Sequence, residues 1–422
     1  MKNTCVNFNR ISQSTPKKQS SLMLKWGRGT AVAQLSVYTI SQILPIYNQM
    51  ITARLSMYYG TAFAVIGTSM PFWPLWLQSR SLSPVEIGLI MALSVTTKTI
   101  SNPLVAAFAD RYGERKRIMV FLTLFATCIF STFYWANSFW SLIAVTLLFH
   151  AFWSPNMPLM ESLTMQNVRS KSLDYGRIRL WGSLAFIIGT WGMGQLLARH
   201  PIDFVYWITL ALLALTFFST LILPDNRIAR SISSNSPIRI VLKDRTFIVL
   251  IVATALIQSS HAVYYSFSAI HWKSVGHSEE IIGWLWAEGV LAEIFLFMWG
   301  TKFIKRYGAV RVTTLAGIAG LIRWGIVGST HTIEALLITQ LLHAFTFGAA
   351  HLGAIHFISQ RMIPSVSATA QTVYSIIVGL TMGVSTWSAG LLYADLSSQS
   401  YLLMAVMAGG GGFLGSTLKK KH

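Results

Sequence analysis

The sequence predicts an all-α polytopic membrane protein, and three observations carry that prediction. Only 11% of the 422 residues are charged, against 53% hydrophobic, where a soluble domain carries about 25% charge. The remaining charges gather in short clusters between apolar runs of about 18 residues or more, the length a helix needs to cross a hydrocarbon core. Lysine and arginine outnumber the acids by 33 to 14, and the excess falls on alternate loops, as expected of short cytoplasmic loops.

These features exclude a soluble enzyme and a disordered chain. Continuous apolar runs, rather than alternation over about ten residues, argue against a β-barrel. Two cysteines, Cys5 and Cys128, exclude a disulfide framework and a cysteine-based metal site. The net charge of +19 would suggest nucleic acid in a soluble protein. Here it reads as loop topology, so the expected partners are the lipid bilayer and a small solute, with no nucleic acid, no metal and no cofactor.

Apolar runs place spans at 57–77, 86–109, 118–136, 140–164, 176–198 and 202–223, then at 247–270, 280–300, 310–328, 332–357, 366–392 and 399–417. The expected domains are an extension at 1–56, a six-helix bundle at 57–223, a basic linker at 224–245, a second bundle at 246–418 and a basic tail at 419–422. The extension is expected to lack order; a thirteenth span, a targeting segment or a start at Met50 or Met57 are the alternatives. The basic loops follow the second, fourth, eighth and tenth spans and include the linker and tail. Both termini are therefore expected in the cytoplasm, in a bacterial inner membrane.

After the second span comes Asp110-Arg111-Tyr-Gly113-Glu-Arg115-Lys-Arg117, and after the eighth Gly300-Thr-Lys302-Phe-Ile-Lys305-Arg306-Tyr-Gly308. A basic loop and a glycine turn at the same point of each half suggest two parallel bundles around a midplane site. Asp110, Arg111, Gly113, Arg115 and Arg117 resemble the signature between the second and third spans of the major facilitator superfamily. The resemblance implies a twelve-helix transporter fold in which this loop latches the halves together.

Charges inside apolar runs cost about 2.5–3.5 kcal/mol each and should face a cavity or a partner. They are Glu161 in the fourth span, Arg177 and Arg179 opening the fifth, Glu288 and Glu293 in the eighth, and His343 and His351 in the tenth. Lys98 and Arg323 also interrupt apolar runs, without an assignable role. Pro155 and Pro158 should kink the fourth span. Arg177 and Arg179 are about 200° apart on a helix, so only one can reach the cavity, and Arg177 is favoured. Glu293 lies deeper than Glu288. His343 and His351 fall within about 80° of each other and can border one cavity. Each group could instead serve a structural ion pair or hydrogen bond. Trp76, Trp135 and Trp140 read as interfacial belt, whereas Trp73, Trp153 and Trp181 are candidates to stack on a substrate ring.

The chain over 57–418 resembles the phenylpropionate permease-like proton symporters, neighbours of the nucleoside and oligosaccharide symporters. The matching segments are Pro71-Phe-Trp-Pro-Leu-Trp76-Leu, Tyr175-Gly-Arg177-Ile-Arg179-Leu-Trp181-Gly-Ser183, Gly289-Val-Leu-Ala-Glu293-Ile and Phe345-Thr-Phe-Gly348-Ala-Ala-His351. The resemblance implies proton-coupled import, by a monomer, of a small organic solute such as 3-phenylpropionate. It makes Glu161 with a fifth-span arginine a substrate-side pair, and Glu293 with a tenth-span histidine a proton-coupling pair. The competing readings are a nucleoside or oligosaccharide symporter, an exporter, and a non-transporting receptor or scaffold. A membrane-embedded enzyme lacks a nucleophile or metal constellation, and no phosphate-binding loop suggests ATP-driven transport.

Overall fold

A computed structural model of the chain describes residues 30–225 and 238–418. What the sequence suggested for 1–29, for 226–237 of the linker and for the tail at 419–422 lies outside the described residues. Residues 1–52 and 53–422 form two compact units, and the packing described below belongs to the second.

The described chain is all helical. Its first part contains α1 (Thr30–Ser69), α2 (Trp73–Ser79), α3 (Pro84–Tyr112), α4 (Arg115–Ser131), α5 (Phe139–Trp153), α6 (Asn156–Lys171), α7 (Tyr175–Leu197) and α8 (Phe204–Leu221). A short α9 (Ile238–Lys243) leads into α10 (Arg245–Ser259), α11 (Ala262–Ser274), α12 (Glu279–Tyr307), α13 (Ala309–Ser329) and α14 (Ile333–Leu341). A π-helical turn, Ala344–Ala349, then precedes α15 (Ala350–Arg361), α16 (Pro364–Leu396) and α17 (Ser400–Ser416). Ten stretches among the described residues are long and apolar enough to cross a membrane.

Most of the expected spans recur within a few residues, with two corrections. The segment 57–77 is not one helix: α1 ends at Ser69 and α2 begins at Trp73. Pro71 and Pro74 explain the break, because neither can donate a backbone hydrogen bond and Pro74 suits the first turn of a new helix. α1 is helical from Thr30. The expected kink in the fourth span is a full break at Ser154–Pro155, between α5 and α6.

Helix ends follow their sequence signals. Ser83 and Glu86 form a reciprocal capping box at the start of α3, and Asp174 caps α7 by accepting from the Arg177 backbone N–H at 3.1 Å. Gly113, at φ 70°, closes α3 in the left-handed region that disfavours a side chain.

Glycine sets close helix approaches at the end opposite the basic loops. A Cβ on Gly88 of α3 would lie 2.5 Å from Gly390 Cα of α16, and one on Gly194 of α7 would lie 2.5 Å from the Glu279 carbonyl of α12. Small residues at such crossings let backbones touch. At this end α2 also packs against α11. One buried cluster joins Phe72, Trp76, Phe133 and Tyr206 to Phe267, Trp272 and Tyr393. Trp76, expected at the lipid interface, is fully buried and donates to Asp203 at 3.1 Å; Arg80 meets the same carboxylate oxygen at 2.6 Å. Trp135 and Trp140 are exposed, as a belt requires.

At the basic end Asp244 caps α10, accepting from the Phe247 N–H at 3.1 Å, and pairs with both edges of the Arg361 guanidinium at 2.5 and 3.0 Å. Burial pushes the Asp244 carboxyl up, but the hydrogen bonds from Arg361 and from the Phe247 and Thr246 backbone outweigh it and hold the carboxyl below its usual range. A lowered folded-state value contributes stability above the unfolded value, about 3.9, that is lost as pH falls through the folded one. Asp244→Asn keeps a capping oxygen but loses the charge, and should cost about 1 kcal/mol near neutral pH. Asp244→Ala should cost about 1 kcal/mol more. Thermal unfolding in detergent across pH checks both, and the gap between wild type and the Asn variant should begin to close only as pH falls below about 3.9.

Candidate functional site: a central cavity with two charged walls

A cavity of about 660 Å³ is lined by α1, α6, α7, α11, α12 and the segment from His343 to His351. One helical stripe of α12, Trp286-Val290-Glu293-Phe297, supplies much of one wall. Rings from Phe63, Tyr175, Phe186, Tyr264, Tyr265, Trp286, Phe297 and Phe347 make the surface largely aromatic.

The first charged wall comes from α6 and α7. Tyr175 donates to Glu161 Oε2 at 2.9 Å, and Arg179 Nε stands 3.5 Å from Glu161 Oε1. Tyr175 and Arg179 are one helical turn apart and so share a face. The guanidinium lies over the Phe63 ring at 4.0 Å. Arg177, the arginine favoured from the sequence, points elsewhere: its side chain is 85% exposed and sits 3.4 Å from Asp174. The separation of about 200° decides between the two, and the structure brings Arg179 to Glu161.

The second wall is centred on Glu293. His343 Nε2 stands 3.9 Å from Glu293 Oε2, while His343 Nδ1 is 3.0 Å from Arg323 Nη1. A guanidinium only donates, so Nδ1 must accept, and the neutral ring carries its proton on Nε2, facing Glu293. Arg323 is fully buried, yet no carboxylate pairs with it among the described residues. It donates to Thr346 at 3.1 Å and Gln340 at 3.2 Å, stands 3.3 Å from His261 Nε2, and lies against the faces of Tyr264 and Trp324 at 4.8 and 4.3 Å. The only carboxylate reached through this network is Glu293, by way of His343. Breaking the charge balance of such a group is costly, so Arg323, His343 and Glu293 form one electrostatic unit.

Other expected site residues fall differently. His351 lines the cavity, its Nδ1 3.2 Å from the Tyr374 hydroxyl. Glu288 lies off the cavity, with Oε2 buried and unpartnered, because five residues turn it about 140° from Glu293. None of the three candidate tryptophans lines the cavity: Trp73 stacks on Trp76 at 4.4 Å, Trp153 on Phe149 at 6.1 Å, and Trp181 is 57% exposed, two residues from Arg179. The tryptophan on the wall is Trp286, stacked on Tyr264 at 4.6 Å. Its spacing of seven residues from Glu293, two helical turns, was the available signal. In the first turn of α4, Arg115 is buried and bonds to Asp110 of α3, and Arg117 meets Glu114 at 2.9 Å.

An all-helical membrane protein enclosing an aromatic, charged cavity has the architecture a secondary transporter uses, and the family match assigns it to that class. The family model described as the MFS_1 like family matches residues 52–405, and the chain belongs to that family, within the major facilitator superfamily. It is 33% identical over 372 residues to the "Probable 3-phenylpropionic acid transporter" of Escherichia coli (strain K12), covering 85% of this chain and 95% of that protein. It is 26% identical over 340 residues to the maltose permease of Geobacillus stearothermophilus, covering 80% and 85%. The crystal structure of nucleoside transporter NupG superposes with a TM-score of 0.78 at 15% identity, covering 88% of this chain and all of that one. The protein is thus a secondary transporter of a small organic solute, related to the phenylpropionate and nucleoside transporter branch, and not an enzyme.

Proposed function

We propose that the protein imports a small aromatic carboxylate together with a proton. The observation carrying this reading is the pairing, across one aromatic cavity, of a guanidinium at Arg179 with a carboxylate–imidazole pair at Glu293 and His343. A volume of about 660 Å³ suits a small organic ligand. No asparagine, glutamine or aspartate is among the residues lining it, whereas a sugar would need many such groups. The relative's name, a probable 3-phenylpropionic acid transporter, agrees with an aromatic acid.

In this reading twelve spans form two bundles, the chain acts as a monomer in a bacterial cytoplasmic membrane, and both termini and the basic loops face the cytoplasm. The end closed by Gly88, Gly194 and their partners then faces outside, and the cavity is open inward. Glu293 takes a proton from outside and becomes neutral. The substrate carboxylate pairs with Arg179, drawing it from Glu161, which stays bonded to Tyr175. The bundles rock, and inside, Glu293 releases its proton as His343 N–H and Arg323 again balance its charge. Asp110, Arg111, Gly113, Arg115 and Arg117 form the latch between inward and outward states.

Arg179→Lys tests the substrate side. Lysine keeps the charge but loses the planar fork, so KM for an aromatic acid should rise about tenfold or more, about 1.4 kcal/mol. Arg177→Gln should stay near wild type. Equal effects at the two positions in initial-rate uptake would refute the assignment.

A further inference from the structure

The outer segment of the broken helix pair α10–α11 carries a buried histidine that the transport cycle above does not use. His271 is 4% exposed. Its Nε2 stands 3.2 Å from Nδ1 of His331, an exposed residue in the loop before α14, and its Nδ1 stands 3.3 Å from the Tyr393 hydroxyl of α16. The loop is held in turn by His277, whose Nε2 donates to the His331 carbonyl at 2.7 Å. Two separate stretches of chain are thus tied to α11 through one imidazole, and α11 is the segment that packs against α2 where that end of the molecule closes.

A nitrogen-to-nitrogen hydrogen bond exists only while one of the two facing ring atoms lacks a proton. With one proton between them, as in the neutral or the singly charged pair, the bond holds. With two, N–H faces N–H, and two cations stand with ring centres 5.0 Å apart. Among the described residues no carboxylate bonds to either ring. Glu279 is taken by Lys273 at 2.6 Å, and Asp203 by Arg80 at 2.6 Å across the α2 side. Tyr393 and Tyr401 are the groups facing His271 from α16 and α17. Glu334 stands in the first turn of α14, beyond the loop.

We propose that His271 and His331 form an acid-released latch: the neutral or singly protonated pair holds α11 in the closed position, and double protonation lets that end open. The latch favours exposure of the cavity on the acidic side, where a proton-driven importer must load. It does not depend on the substrate.

The test places spin labels at Ser138→Cys and Gln399→Cys, near the closed end, in a Cys5→Ser, Cys128→Ser background. Distances are measured in lipid nanodiscs at about pH 8 and in steps down to about pH 4, bathing both faces so that membrane orientation has no influence. The longer-distance population should grow on acidification, and His331→Gln, whose amide can still bond His271 but carries no second proton, should remove the growth. His271→Gln should do the same, which separates the pair from any other titrating group. A wild-type distribution independent of pH, or an acid-induced shift that survives His331→Gln, would overturn the latch.

Discussion

Neutralising Glu293 as glutamine is expected to uncouple the transporter: gradient-driven accumulation should fall to the level of protein-free vesicles, while exchange of labelled for unlabelled substrate continues. Glutamine keeps the shape of a protonated glutamate but cannot release a proton. The loaded form would therefore persist on both sides, and exchange, which needs only that form, would survive. Removing the carboxylate also strips Arg323 of the one negative charge reached through its network, by His343 at 3.9 Å. The variant should thus favour the substrate-loaded conformations, with a loss of net uptake of at least about 100-fold, about 2.7 kcal/mol. Loss of exchange together with accumulation would instead mark Glu293 as a substrate contact.

The second large effect is expected at Gly194. A side chain there meets the Glu279 carbonyl at 2.5 Å and Gly283 Cα at 3.2 Å, and backbone cannot step aside as a flexible side chain could. Overpacking of this kind costs about 1–3 kcal/mol or more. Here the cost falls on one conformation, the one in which α7 and α12 touch. A bias of that size shifts a two-state equilibrium by roughly 5- to 150-fold. Gly194→Leu should therefore leave the closed end open, retain substrate binding, and lose most net transport. Gly192→Leu is the matched control, since nothing lies within 4 Å of its added Cβ. Distances across the closed end, with binding and uptake on the same samples, check the prediction. Wild-type uptake by Gly194→Leu would show that this crossing does not close in the cycle.

The span pattern was legible because hydrophobic length is a one-dimensional property. Expected and observed helix ends differ by only a few residues for α7, α8, α13 and α17. The charged cavity residues were legible for a related reason: a charge in an apolar run needs a partner, and Glu161, Glu293, His343 and His351 all reach the cavity. Facing was harder to read. Arg177 and Arg179 share a motif, and only the setting of α7 against α6 distinguishes them. The tryptophans were hard to assign because an indole serves belt, core and ligand equally well; Trp76 is buried and bonds to Asp203, and Trp153, half-buried, stacks on Phe149. Arg323 was visible but had no readable role, because its neighbours His261, Gln340, Thr346 and Tyr264 come from three other segments of chain. The meeting of His271 with His331, 60 residues apart, is likewise a product of tertiary packing.

The central claim is that an inward proton gradient drives an aromatic carboxylate through this cavity. Reconstituted protein given an alkaline interior and supplied with labelled 3-phenylpropionate tests it most directly, with protein-free vesicles to subtract passive entry of the weak acid. Accumulation above the passive level, abolished by an uncoupler and absent for a disaccharide and a nucleoside, is the expected result. Gradient-driven uptake of the disaccharide or nucleoside in place of the acid, or extrusion of the acid under the same gradient, would contradict the account.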